Sequence, residues 1–475
     1  MIVKNEAQWL PGCLNSVKGL VNEMIIVDTG STDETVKIAE GYRANVFHQP
    51  WNDNFSESRN YALKHATGDW ILHLDADEEL VQEDIPQVKQ IIKNKEINGV
   101  YCLFYSTQKA FSGRSQFYLP RLFRNNIGIY YRGRIHETPV IPGNISFSNI
   151  RIIHRGYSLD EATMATKRRR NASILLQELR KNPKDVAVHF YLAKNYYEQG
   201  LYDLSLEEGK EVLRLLSSNT IAKRPEIEIF LIMAYSHYNK GNYQEAENLC
   251  VQAIEIKSNY IDPHFFLGHL YLMQAKYASS IASFQRYFQI KDNLKKSPEF
   301  NHLVIYSITK SHEAYAGLGT AYGKLGNYAE SINHFKKAIN ICPEYADAYN
   351  SLGVIHGHQE RLDEAIAHLK TALQIKPEYS EAHKNLGIVY AMQEKSSLAI
   401  EAFEKAIQIN PDIAEAHNNL GVVLAKEGRF EHAIQSFKKA IEINPNYTQA
   451  SNNLILAYKK FNEHRVRCLP LFHAW

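Results

Sequence analysis

Two hydrophobic periods divide this chain. Over its first third, apolar runs of four or five residues stand between polar, turn-rich stretches: Met24-Ile25-Ile26-Val27, the segment from Asn45 to His48, and Trp70-Ile71-Leu72-His73-Leu74. Runs of that length bounded by Gly, Asn and Asp read as buried strands. Between the first two, Thr29-Gly30-Ser31-Thr32-Asp33 turns into a helix through Val36 and Ala39, with Ser31, Thr32 and Asp33 available to cap it. Between the last two, Pro50-Trp51-Asn52 leads to a helix containing Arg59 and Asn60, which Thr67-Gly68 ends. Strand, helix, strand, helix, strand predicts a parallel sheet whose ligand crevice lies at the strand carboxyl ends. Asp28 and the pair Asp75 and Asp77 end two of these strands and are expected to share that crevice. Alternate strand residues share a face, so Asp75 and Asp77 are expected to project together.

The remainder has a different period. Pro343, Pro377, Pro411 and Pro445 recur every 34 residues, and Leu-Gly pairs recur in step at 318–319, 352–353, 386–387 and 420–421. That is the spacing of tetratricopeptide repeats, which are paired helices stacked into a solenoid. Small-large-small triplets such as Ala399, Phe403 and Ala406 mark the second helix of each unit. Less regular units align on Leu192-Ala193, Met233-Ala234 and Leu267-Gly268, giving seven repeats with an extra stretch around 290–311 and a capping helix near 450–458. The domain division expected is 1–160 catalytic, 161–185 a linking helix, 186–460 repeats and 461–475 an irregular tail.

Composition narrows the class. A chain of 475 residues with net charge +2 has room for two or three domains and no overall bias towards nucleic acid or an anionic membrane. The charge is uneven: from Lys109 to Arg170 twelve basic residues face three acidic ones, a balance that suits a polyphosphate ligand or a solvated basic rim. Cys13, Cys102, Cys250, Cys342 and Cys468 form no C-x-x-C pair, which argues against a disulfide framework or zinc site and fits a cytoplasmic protein. No apolar stretch is long enough to span a bilayer, and the N-terminus reads as a strand. Chemistry concentrates in Asp75-Ala76-Asp77. Two carboxylates at a strand end can share Mg²⁺ or Mn²⁺ with a diphosphate, although such acidic triplets are also common solvated turns.

Met1-Ile-Val-Lys-Asn-Glu6, Ile26-Val-Asp-Thr-Gly-Ser-Thr-Asp33, Pro50-Trp-Asn-Asp-Asn-Phe55, Ser58-Arg-Asn60 and Gly68-Asp-Trp-Ile-Leu-His-Leu-Asp-Ala-Asp-Glu78 resemble, in this order, the family 2 glycosyltransferases. With the repeats attached, the chain is similar to bacterial peptide glycosyltransferases of the sublancin S-glycosyltransferase type. The resemblance implies an α/β GT-A domain, Rossmann-like with a mixed sheet, followed by an all-α repeat solenoid. It also implies a metal-dependent inverting enzyme that transfers a sugar from a nucleotide-sugar, with uridine the expected base. Relatives usually carry several residues of first strand ahead of the segment matching Met1, so either the start is misassigned or that strand is truncated.

By the same resemblance, Asp28 accepts from the nucleobase, Arg59 lies near the nucleotide, Asp75 contacts ribose, and Asp77 with His154 holds Mn²⁺ or Mg²⁺. Gly133-Arg134-Ile135-His136-Glu137 resembles the segment that bears the catalytic base, and Glu137 is the only acidic residue between Glu96 and Asp160. Its structural alternative is an ion pair with Arg132 or Arg134. Arg121 and Arg124 are candidates for diphosphate or acceptor. In the repeats, Asn385, Asn419 and Asn453 occupy one repeat position and would form an amide ladder for a peptide acceptor, unless they bond within the repeats. A homodimer through the repeats is a further possibility. The expected acceptor is a peptide or protein. The alternatives are a cell-surface glycan or lipid-linked acceptor, or an inactive scaffold.

Overall fold

In a computed structural model the chain is described over residues 1–106, 116–155, 161–217, 225–294 and 310–468, with residues 220 and 307. The tail from 469 and most of the extra stretch around 290–311 lie outside the described residues. By contact density the chain forms two compact units, 1–274 with 282–310, and 311–475 with 275–281.

The first unit opens with the α/β region. Strands β1 (Ile2–Val3), β2 (Ile25–Asp28) and β3 (Asn45–His48) form a parallel sheet, with Val3 opposite Asp28 and Asp28 opposite His48. Helix α1 (Leu10–Ser16) buries Leu10, Cys13 and Leu14 at helical spacing, and α2 (Thr35–Gly41) follows β2. Leu10, Leu14, Ile26 and Ala39 make one core around this sheet, each fully covered apolar side chain contributing roughly 1.5–3 kcal/mol for the larger ones. Helix α3 (Phe55–His65) starts at Asn54, whose side chain accepts from Glu57 N–H.

The third expected strand does not extend that sheet. β4 (Trp70–Leu72) pairs antiparallel with β7 (Gln116–Arg124), in a five-stranded sheet of order β4-β7-β6-β10-β5, where β5 is Glu78–Leu80, β6 Gly99–Ser106 and β10 Ile145–His154. The simple parallel sheet drawn from alternation is therefore corrected to two sheets, one parallel and one mixed. The long β6–β7 hairpin supplies hydrogen bonds to β4 that local patterning cannot show. Met1 and Met24 pack against the cores of both sheets and join them. A small sheet of β8 (Tyr130–Arg132) and β9 (Thr138–Val140) brackets residues 133–137. Helix α4 (Ile85–Ile91) covers one flank, α5 (Glu161–Lys181) follows β10, and α6 (Val186–Glu198) begins the paired helices.

In the second unit the helix pairs keep the 34-residue rhythm: 311–324 with 328–341, 346–358 with 362–375, 380–392 with 396–409, and 414–426 with 430–443. A final helix runs from Thr448 to Cys468, so residues 461–468 continue as helix where an irregular tail was expected. The Leu-Gly pairs have a packing cause. A β-carbon on Gly421 would stand 2.6 Å from the Phe437 ring, and one on Gly387 2.7 Å from Phe403. Both rings are fully buried, so they have nowhere to move. Gly421→Ala is expected to destabilise this unit, because an overpacking cost of about 1–3 kcal/mol exceeds the roughly 1 kcal/mol gained from helix propensity. Thermal denaturation would show a lower midpoint. An unchanged one would mean that the ring has room.

Candidate active site

β4 ends at Leu72, and the backbone then closes a tight turn in which Glu78 N–H donates to the Asp75 carbonyl and Asp75 N–H to Glu78 Oε2, both at 3.0 Å. Asp75 and Asp77 thus lie in a turn and not in a strand. Their carboxylates part company, contrary to the expectation that they share a face. Asp75, still 29% exposed, turns towards the buried Arg59 and Arg121, accepting from Arg59 Nη2 at 2.9 Å and Arg121 Nη2 at 3.3 Å. Asp77 turns to the lip, 3.3 Å from His154 Nε2.

The inward group is a buried charge network. Arg59 donates through Nε to Glu137 Oε1 and through Nη2 to Asp75, while its Nη1 contacts His73 Nε2. Arg121 reaches Glu78 Oε1 at 2.7 Å and His73 Nδ1 at 3.0 Å. Tyr131 Oη is 2.6 Å from the same His73 nitrogen, and the Arg59 guanidinium sits over the Tyr131 ring. Burial and then the two flanking guanidiniums hold His73 far below its ordinary range, so the imidazole is neutral. Burial opposes charge on Asp75, but Arg59, His73 and Arg121 outweigh it and hold its carboxyl well below the usual range. Burial pushes Glu78 up to about 7, with Asp75 adding to the rise against the opposing pull of Arg121.

Glu137 pairs with Arg59 rather than with Arg132 or Arg134. One guanidinium therefore links Glu137 to Asp75, although the two carboxylates are 62 positions apart in the sequence. Helix α3 aligns this arrangement from its other side. Asn60 exchanges two hydrogen bonds with the Tyr131 backbone, at 2.7 and 2.9 Å, Ser56 Oγ donates to the Gly133 carbonyl, and Phe55 N–H donates to the Arg134 carbonyl.

Asp28 ends β2, buried, and accepts from Gly30 N–H at 3.2 Å and Ser31 N–H at 3.1 Å. Gly30 has φ +106°, which lets the turn fold back over the carboxylate. The adjoining loop 5–7 ties this turn to the metal side. Asn5 and Ala7 bond to Ser31 and Asp33, and burial followed by Asp77 pushes the Glu6 carboxyl up to about 7.

Residues 1–152 match the model of Glycosyl transferase family 2, and segments 232–258, 319–360, 344–412 and 414–447 match tetratricopeptide-repeat models. The chain carries a family 2 glycosyltransferase domain and tetratricopeptide repeats. It is a transferase. It is similar to the SPbeta prophage-derived glycosyltransferase SunS of Bacillus subtilis (strain 168), 24% identical over 343 residues that cover 70% of this chain and 75% of that one. An uncharacterized glycosyltransferase of Rickettsia felis is 43% identical over 91 residues, 19% of this chain and 32% of its own. A TPR repeat-containing protein of Synechococcus elongatus is 44% identical over 137 residues, 29% of this chain and 34% of its own.

Family 2 glycosyltransferases generally use a divalent metal ion. Asp77 and His154 fit two positions of such a site, an oxygen and a nitrogen donor side by side beside a crowded Glu6. No group of three or more ligating side chains occurs among the described residues. Arg124 donates to the Ile97 and Asn94 carbonyls and lies over Trp70, a structural role for that residue of the glycosyltransferase domain.

In the repeats, Asn385 donates to Asn350 and Asn453 to Asn418, each at 2.9 Å, and Asn419 accepts from Asn418 at 3.3 Å. Two of the three ladder amides thus bond to the preceding repeat. Sequence reasoning passed over His73, Glu78, Tyr131 and Glu6. A histidine inside the apolar run 70–74 was a signal for the first, since a buried imidazole requires partners. Among the described residues no helix is long and apolar enough to cross a membrane.

Proposed function

We propose that this glycosyltransferase is a metal-dependent, inverting enzyme that transfers a sugar from a UDP-sugar to a peptide or protein held by the repeats. The observation that carries the reading is the division of labour in the Asp75-Ala76-Asp77 turn. Asp77 faces the lip with His154, while Asp75 faces inward to the guanidinium that also holds Glu137. A lip ligand pair beside an inward carboxylate cluster suits a donor with an anionic leaving group on one side and an acceptor on the other. Mn²⁺ or Mg²⁺ held by Asp77 and His154 would neutralise charge developing on the departing diphosphate.

The chain's own residues supply the rest. Asp28, at the mouth of its turn, accepts from the base, and the inward Asp75 cluster borders the ribose. Glu137 takes the acceptor proton as the nucleophile attacks the anomeric carbon from the face opposite the leaving group. Arg59 fixes one Glu137 oxygen, so the base is oriented before the acceptor arrives. The sequence resemblance to peptide glycosyltransferases supports a peptide acceptor, and repeats of this kind suit protein binding.

The test is thermal-shift binding of a panel of nucleotide-sugars with and without Mn²⁺, since a ligand that binds only the folded state raises its melting point. Metal-dependent stabilisation by one UDP-sugar is expected. Stabilisation only by another nucleotide would discard uridine, and no metal effect would discard the lip pair. Glu137→Gln is expected to keep donor binding and lose roughly 100-fold or more of turnover, so wild-type turnover by that variant removes Glu137 as base.

A further inference from the structure

The loop that presents Glu137 is anchored on helices outside the segment matched by the glycosyltransferase model. Gly133 and His136 both have left-handed backbones, φ +92° and +53°, a conformation that crowds a β-carbon and is uncommon outside glycine. His136 is held there by its ring, which lies flat on Tyr191 of α6 with centroids 4.1 Å apart and planes 14° from parallel. The two residues before it are anchored on the same helices by other contacts. Ile135 is buried among Ile174 and Leu175 of α5 and Val188 and Leu192 of α6. Arg134 N–H donates to Glu178 of α5 at 3.4 Å, and its guanidinium reaches Gln177.

The placement of these contacts is specific. Docking of a repeat onto a catalytic domain needs only apolar surface, and any surface would serve. Here three consecutive contacts fall on 134–136, directly before Glu137, and the stacked residue is the one whose backbone most needs holding. Burial, then Lys194, lowers His136 to about 4, so the stack is between neutral rings across the physiological pH range. Glu137 is thereby fixed from two directions, by Arg59 through its carboxylate and by the His136 stack through its backbone.

We propose that the first repeat is a working part of the transfer site, with Tyr191 a positioning residue that holds Glu137 in place through His136. The proposal rests on the reading of Glu137 as the base. It makes α5 and α6 a wall of the catalytic loop, so the glycosyltransferase segment 1–152 alone has an incompletely held base.

The experiment compares full-length wild type, Tyr191→Ala, Tyr191→Phe and Glu137→Gln. Two readouts are taken: amide hydrogen exchange over 130–140, and UDP release from UDP-glucose as probe donor, with water as the probe acceptor that takes the glucosyl group. Tyr191→Ala is expected to speed exchange at 133–137 while leaving 25–30 unchanged, and to lower kcat by roughly 100-fold with the UDP-glucose KM unchanged, the cost of a small misplacement of a catalytic group. Tyr191→Phe, which keeps the ring, is expected to match wild type in both. Unchanged exchange in Tyr191→Ala overturns the proposal, as does a Tyr191→Phe variant as impaired as the alanine. If Glu137→Gln loses turnover and Tyr191→Ala does not, only the coupling falls. If Glu137→Gln keeps wild-type turnover, Glu137 is not the base and the proposal falls with that reading. Should Tyr191→Ala fail to fold, His136→Gly removes the ring while relaxing the left-handed backbone, and the same exchange readout decides.

Discussion

Arg59→Ala is expected to cost about 3–5 kcal/mol of stability and to abolish sugar transfer, because it leaves the nearly buried Glu137 carboxylate and the partly covered Asp75 carboxylate without their shared cation. Arg59 is 8% exposed and bonds Asp75 and Glu137 with different nitrogens of one guanidinium. Removing it also takes the cation from above Tyr131 and a contact from His73. Lysine cannot restore the arrangement, since a point charge lacks the planar fork that reaches both partners. Arg59→Lys is therefore expected between alanine and wild type in stability, with turnover still lost. Denaturant unfolding of the three proteins checks the first claim. The coupling appears in a double-mutant cycle: Arg59→Ala combined with Glu137→Gln is expected to cost less than the sum of the two, because the second change removes a charge that the first leaves stranded. A stable, active Arg59→Ala protein would show that the network is not coupled to the chemistry.

Asp77→Ala is expected to separate the two effects, removing the chemistry while sparing the fold. Its carboxylate is about a quarter exposed and stands 3.3 Å from His154 Nε2, so its loss leaves no deeply buried group stranded. Loss of electrostatic stabilisation of a leaving group typically costs 100-fold or more in rate. Donor-induced stabilisation is expected to lose its metal dependence in the same variant, while the melting point without ligand stays near wild type. His154→Ala should show a smaller version of both effects. Near-wild-type turnover by Asp77→Ala would remove the lip pair from the mechanism.

Asp75 and Asp77 are separated by a single residue yet face different partners, and that difference was not legible in the chain. The carboxylates were expected to point together because a strand was assumed to continue through them. It ends at Leu72, and the turn closed by Glu78 sends one carboxylate inward and the other outward. Likewise Glu137 was conspicuous as a lone acid in a basic stretch, but its partner Arg59 lies 78 positions earlier, whereas the nearby arginines seemed the natural choice. The asparagine ladder was visible as a periodic signal. Its bonds to the preceding repeat depend on how neighbouring helices approach.

By itself the sequence determined the two-part architecture, the α/β class of the first part, the repeat period of the second and the residue types available for catalysis. Those follow from local rules: runs and turns define strands, and a 34-residue spacing of small residues defines helix pairs that must pack. Only the tertiary structure decided that β4 joins a hairpin from far downstream, that one guanidinium joins Asp75 to Glu137, and that Tyr191 of α6 stacks on His136, next to Glu137. The physical reason is that charge pairing and ring stacking act at a few ångströms in space, and residues far apart in sequence reach that distance only when the intervening chain folds.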